Sequence, residues 1–156
     1  MEQETKTIKE LTLTRVFNAP RELVFRAWTD EKELAKWWGP IGFTAPVCEL
    51  DLRPGGKIVI QMLHRDFPNH WMGGHFQEIV PPERIVFVST ASNVRDGAPL
   101  MEVLNTITFT EEHGKTTLTV HAAVKRVAPE MAMSLLGMDQ GWNESLDKLL
   151  AMINGQ

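Results

Sequence analysis

Three of the five histidines lie close together in the chain and are the first side chains to consider for chemistry. His64, His70 and His75 could each act as a general base or as a metal ligand. Their spacing matches neither the His-Glu-x-x-His motif nor a cysteine–histidine zinc pattern. The sequence therefore predicts no metal site.

Cysteine and serine provide the other candidate nucleophiles. Cys48 shares one side of a predicted strand with Leu50 and Leu52, which is typical of a small core residue rather than a reactive thiolate. Neither Ser89 nor Ser134 lies in a Gly-x-Ser-x-Gly motif, and no glycine-rich loop precedes a helix as a phosphate site would require. We predict no catalytic residues and no cofactor, and we expect that the protein is not an enzyme.

The composition indicates an ordinary globular protein of 156 residues with a formal charge of −4. Its basic residues are scattered, so we expect no nucleic-acid partner. No apolar run is long enough to span a membrane, and the polar first ten residues do not resemble a signal peptide. The single cysteine agrees with a reducing compartment, so we expect a cytoplasmic location.

The longest element that could position a site is a predicted helix over residues 129–153. Apolar residues recur there every three or four positions, with polar residues between them. Gly137 and Gly141, one turn apart, suggest either a kink or a close approach to a neighbouring element. The apolar face of so long a helix requires an equally long partner, and the only candidate is a sheet.

The rest of the chain predicts that sheet. Residues 8–17 alternate as a strand, and two short helices follow before Gly39 and Pro40. Six further strands are predicted over residues 47–52, 57–64, 71–80, 84–91, 101–110 and 115–124, joined by short turns. The sequence thus predicts one α+β domain over residues 1–156, with its core over about 8–154.

Several predicted inner strand faces carry one or two polar side chains among apolar ones. In the strand over residues 57–64, His64 shares a face with Ile58, Ile60 and Met62. In the strand over residues 71–80, His75 and Gln77 share a face with Trp71 and Ile79. In the strand over residues 101–110, Asn105 interrupts a face formed by Met101, Val103, Ile107 and Phe109. Apolar walls with few polar groups are typical of a ligand pocket, although the same groups could be satisfied within an ordinary core. The candidate ligand-binding residues are Trp38, His64, His75, Gln77, Asn105, Met138 and Trp142.

The adjacent indoles of Trp37 and Trp38 allow three interpretations. Both could close the open end of the sheet, one could line a cavity entrance, or one could be an exposed anchor for a partner protein.

Five separate blocks of the sequence carry a family resemblance. They are residues 15–25 (RVFNAPRELVF), 37–40 (WWGP), 51–56 (DLRPGG), 74–84 (GHFQEIVPPER) and 141–149 (GWNESLDKL). Together they resemble the AHSA-type family (activator of heat-shock-protein ATPase homologue) of the SRPBCC/START-like superfamily. The resemblance covers about residues 12–153 and implies a helix-grip fold (START-like, Bet v-like), in which a curved antiparallel sheet wraps around a long C-terminal helix.

The resemblance also implies functions. The superfamily typically binds small hydrophobic molecules between sheet and helix, and a few members are cyclases, aromatases or hydrolases. The family is named after a eukaryotic co-chaperone, but only the related domain is represented here, so a chaperone partner is weakly supported. The superfamily also tends to form homodimers, and no catalytic motif is shared across it.

Three functional hypotheses follow. The first is non-enzymatic binding of a small apolar or aromatic ligand in the cavity. The second is a protein-interaction module, with Trp37 or Trp38 and the acidic surface meeting a chaperone or regulator. The third is a hydrolase or cyclase that uses His64 or His75 as a general base toward a cavity water.

Overall fold

The computed structural model describes residues 7–155, which form one curved antiparallel sheet with helices on its inner face. The spatial order of the seven strands is β1-β7-β6-β5-β4-β3-β2. In chain order the elements are β1 (Lys9–Phe17), α1 (Arg21–Thr29), α2 (Glu31–Trp37), β2 (Thr44–Leu50), β3 (Ile58–His64), β4 (Phe67–Val80), β5 (Arg84–Ser92), β6 (Met101–Glu112), β7 (Lys115–Val127), α3 (Ala132–Leu136) and α4 (Met138–Asn154). The predicted α+β helix-grip architecture is confirmed.

The inner face of the sheet follows from alternation in its central strands. On β6 the buried residues are Met101, Val103, Asn105, Ile107 and Phe109, with half-buried residues between them. β7 buries Thr116, Leu118, Val120, Ala122 and Val124 on its inner face, and Ala123 between the last two is buried as well. The β6 face is the one predicted from period-two spacing, and the inner face of β7 has the same spacing.

The C-terminal segment differs from the single long helix that the sequence predicts. A 3-10 turn at Pro129–Met131 leads into α3, and the helix is interrupted at Gly137 before α4 begins. Glycine is a weak helix former, and α3 buries none of its residues, so little packing holds this part in line with α4. α4 instead buries Met138, Ser145, Leu146, Leu149 and Ile153. Within residues 7–155 no helix is long and apolar enough to cross a membrane.

The predicted inner face of β4 is wrong for most of the strand. Met72 and Phe76 are buried, whereas His75 and Gln77 are exposed. The register against β5 shifts between Phe76 and Glu78, so Gln77 is the extra residue of a β-bulge. Because one extra residue reverses the alternation, Ile79 points toward the core while Gln77 and His75, two and four positions before it, do not.

The two adjacent tryptophans at the end of α2 lie in different surroundings. Asp30 caps this helix by accepting hydrogen bonds from the backbone N–H groups of Lys32 (2.9 Å) and Glu33 (3.1 Å). Trp37 is fully buried, and its indole N–H donates to the carbonyl oxygen of Ala27 at 3.0 Å. Trp38 is only partly buried, so the tryptophans have different roles.

Shortening a buried side chain of α4 tests how much the packing of this helix on the sheet contributes to stability. Leu149 is fully buried, so Leu149→Ala should lower the free energy of unfolding by about 2–5 kcal/mol. Leu136, on α3, is 74 % exposed, so the matched Leu136→Ala should change it by less than about 0.5 kcal/mol. Urea denaturation followed by tryptophan fluorescence measures both, and equal losses would contradict this account of α3 and α4.

Candidate functional site

A cavity of about 540 Å³ lies between the inner face of β3–β6 and the segment that contains α3 and the first half of α4. Most of its wall is apolar. The main apolar side chains are Trp38, Phe43, Met62, Met72, Met101, Val103, Met131, Met138 and Trp142. The cavity reaches the surface beside the exposed Phe67, Glu130 and Ser134. Its volume falls within the range of small-molecule pockets, and its lining is mostly apolar, as theirs is.

The cavity separates two packed clusters. The larger cluster contains Trp37, Phe109, Leu146 and Leu149 and lies under α1, α2 and the second half of α4. The smaller one joins Met101, Val103, Ala122, Val124, Met131 and Met138 near the start of α4. Trp142 contacts both clusters and also lines the cavity, so it joins the packed core to the cavity wall.

Four of the five tryptophans form a connected aromatic cluster behind and along the cavity wall. The rings of Trp38 and Trp142 meet edge to face, with centroids 5.5 Å apart, and both line the cavity. Trp28 lies behind them, 6.2 Å from Trp38 and 6.3 Å from Trp142, and contacts Trp37 at 4.7 Å. Trp28 meets Trp38 edge to face and stacks on Trp142. Both arrangements are favourable and directional, so the wall is held in place from behind.

The turn after Trp38 is fixed to α4 by polar contacts. Glu144 accepts a hydrogen bond from the backbone N–H of Ile41 at 3.0 Å, and Lys148 donates to the carbonyl oxygen of Pro40 at 3.4 Å. The hydrogen bond from the Gln140 side chain, and to a lesser extent the one from the backbone N–H of Ile41, lowers the pKa of Glu144. Its carboxylate therefore stays ionised. These contacts position Trp38 against Trp142.

Asn105 is the most deeply buried polar residue of the cavity wall, with 1 % of its surface exposed. Its Nδ2 donates toward Ser89 Oγ (2.9 Å) and the carbonyl oxygens of Phe87 and Val103 (both 3.3 Å). Its Oδ1 is buried and has no hydrogen-bond partner among the described residues. A buried acceptor without a partner is costly, which marks this point of the wall as a place for a donor.

His70 is a wall residue that sequence reasoning missed, because residues 66–70 were predicted as a turn. The structure starts β4 at Phe67, so His70 pairs with Met62 and lines the cavity beside Met72. The two-residue spacing from the buried Met72 was the available signal. Burial lowers the pKa of His70, so its imidazole is neutral at pH 7.

His64 lies beside the cavity rather than in its wall. Its ring packs between Phe43 (5.0 Å between centroids) and Phe67 (4.7 Å), both of which line the cavity. His64 Nδ1 accepts a hydrogen bond from the backbone N–H of Asp66 at 3.0 Å. The ring lies so close to Gly42, at φ +92°, that a Cβ there would be 2.7 Å from Nε2. His64 therefore supports the mouth of the cavity.

The structure thus brings together four of the seven candidate residues. Trp38, Asn105, Met138 and Trp142 line the cavity, and His64 lies behind its rim. His75 and Gln77 were expected to point inward, and this was wrong, since both are exposed on the outer face of β4. Whether the four wall residues contact a ligand stays a prediction.

In the part of the chain that the structure describes, other reactive groups do not assemble near this cavity. Within residues 7–155 no three histidine, cysteine or acidic side chains come together as a metal site would require. Cys48 packs against the larger cluster, where burial, followed by the negative charge of Glu31, raises the pKa of its thiol to about 11. At neutral pH this thiol is protonated and a poor nucleophile.

The family described as Activator of Hsp90 ATPase homolog 1-like protein matches residues 18–154. The chain belongs to this family. The match covers both short helices, six of the seven strands and the C-terminal helices. No match among curated proteins reaches significance.

Solved structures show the same fold. A protein from Chromobacterium violaceum is 31 % identical, with a TM-score of 0.76 over 94 % of this chain and 98 % of that one. One from Mycobacterium smegmatis is 27 % identical, with a TM-score of 0.75 over 99 % and 93 %. A protein from Arthrobacter aurescens is 21 % identical, with a TM-score of 0.83 over 99 % and 91 %, and it shows the fold alone. Proteins of this fold commonly bind hydrophobic ligands.

Titration of His70 tests its place in the wall. Because burial lowers its folded-state pKa below the ordinary 6.5, the unfolded chain takes up the proton first as pH falls. The stability that neutral His70 contributes is therefore complete above pH 6.5 and is lost as pH falls through the folded-state value. NMR titration should place the midpoint of His70 below pH 6.5 in the native protein, and the signal that His70→Gln removes identifies it. Between pH 7.5 and 5, the His70→Gln variant should lose less stability than the parent protein. A native midpoint at or above 6.5 would remove His70 from the buried wall.

Proposed function

We propose that this protein binds a small hydrophobic or aromatic molecule in the cavity between the sheet and the C-terminal helices. The observation that carries the proposal is an apolar cavity of about 540 Å³ with one buried, unpartnered acceptor in its wall. Ligand sites combine apolar walls with a few polar groups that fix orientation, and this cavity has both.

The wall residues suit such a ligand in different ways. Trp38 and Trp142 offer aromatic surface held by Trp28 from behind. Met138 and four further wall methionines have flexible, polarizable side chains that adapt to irregular shapes. Together with Asn105 and His70, these are the residues that we propose contact the ligand.

The other two hypotheses receive less support. Trp37 is buried, and Trp38 packs against Trp142, so neither is a free anchor for a chaperone or regulator. A general base at His64 or His75 would not reach water in the cavity, because neither residue lines it. A homodimer, a chaperone partner and a cytoplasmic location stay predictions from the sequence and the family.

A cavity-filling substitution tests the proposal. Val103 lies in the wall, so Val103→Phe should weaken binding of the neutral fluorescent probe N-phenyl-1-naphthylamine at least about tenfold by occupying the cavity. Val86, half-buried on the opposite face of the sheet, provides the matched control, and Val86→Phe should bind the probe as the parent does. Thermal melts would show that both variants fold.

Native mass spectrometry of the gently purified protein supplies an independent measurement. A mass excess that disappears on denaturation would identify a bound small molecule, and such a ligand should also raise the melting temperature. The absence of a mass excess, of probe binding and of stabilisation by any of a panel of apolar molecules would overturn the proposal.

A further inference from the structure

We propose that the natural ligand is uncharged and presents a hydroxyl group to Asn105 and Ser89 at the wall of the cavity. This inference rests on the proposed function and adds the chemical class of the ligand. It follows from the hydrogen-bonding capacity that these two side chains leave unused, and from the absence of lysine and arginine among the described residues of the wall.

The orientation of the Asn105 carboxamide is determined by its surroundings. Its Nδ2 faces the carbonyl oxygens of Phe87 and Val103, which can only accept hydrogen bonds. Rotating the amide by half a turn would place Oδ1 against those two acceptors and is therefore excluded. The group that remains without a partner is the acceptor Oδ1, which calls for a donor from the ligand.

Ser89 provides the complementary group. Its Oγ accepts the hydrogen bond from Asn105 Nδ2 at 2.9 Å, and its own hydroxyl hydrogen has no acceptor among the described residues. An unused donor and an unused acceptor thus lie on two side chains in direct contact. A ligand hydroxyl can donate to Asn105 Oδ1 and accept from Ser89, whereas an ether or ketone oxygen could only accept.

The charges around the cavity disfavour an ionised ligand. Among the described residues of the wall, no lysine or arginine is present, and the titratable side chains are His70 and Glu130. His70 is neutral at pH 7, because burial lowers its pKa, and Glu130 lies exposed at the mouth. A carboxylate inside would lose its hydration without gaining a cationic partner, and an ammonium inside would meet no buried carboxylate.

Matched naphthalene derivatives test this inference by competition with N-phenyl-1-naphthylamine. The probes are 2-naphthol, 2-methoxynaphthalene, naphthalene and 2-naphthoate. The parent protein should bind 2-naphthol at least about tenfold more tightly than the methyl ether, and 2-naphthoate more weakly than the ether, because only the alcohol satisfies both wall groups without a charge.

Two variants test the contributions of Asn105 and Ser89 one at a time. Asn105→Leu should bring the ratio of alcohol to ether affinity close to one while retaining ether binding. Ser89→Ala removes the donor to the ligand and one acceptor of Asn105 Nδ2, which keeps the carbonyl oxygens of Phe87 and Val103. Both affinities should therefore fall by a similar factor, and the preference for the alcohol should persist. Circular dichroism would reveal whether Asn105→Leu folds. If it does not, Ser89→Ala still provides a test of the inference.

The outcomes distinguish this inference from the proposal on which it depends. If the fluorescent probe binds but the parent protein prefers neither alcohol nor ether, a bound water satisfies Asn105, and the inference is overturned while the proposed function stands. Tightest binding of 2-naphthoate overturns it as well. If neither the fluorescent probe nor any naphthalene derivative binds, both proposals fall.

Discussion

The arrangement of the core and of the cavity depends on how the second half of α4 packs on the sheet. Leu146, Leu149 and Ile153 are buried against the central strands, where large side chains fill the space between the two layers. Nearer its start, α4 presents Met138 and Trp142 at the same interface, but the facing positions leave the space incompletely filled. A helix anchored at one end can therefore hold a cavity open at the other without losing the core that stabilises the fold.

The aromatic cluster and the polar contacts of the α2 turn keep that cavity in shape. Trp37 is fixed in the core by its hydrogen bond to Ala27, and Trp38 is held against Trp142 by the links from α4 to Pro40 and Ile41. On the opposite wall, Asn105 joins β6 to β5 through Phe87 and Ser89. The cavity is thus supported by elements whose own stability comes from elsewhere, as a preorganised site requires.

Local patterns predicted most of this architecture. Period-two spacing identified the inner face of β6, and helical spacing identified the apolar stripe that includes Met138 and Trp142. Asn105 could be singled out because it interrupts an otherwise apolar face. The same method failed on β4, since the bulge at Gln77 reverses the alternation and is visible only in the register against β5.

The sequence by itself determined the fold class, the order of the elements and which strand faces point inward wherever alternation is unbroken, because these depend on spacing along the chain. Only the tertiary structure decided that Trp37 is core and Trp38 is wall, that His70 rather than His75 reaches the cavity, and that Asn105 Oδ1 is left without a partner. Each of these depends on contacts between elements far apart in sequence, such as the strand register and the supply of nearby donors. Spacing along the chain does not encode such contacts.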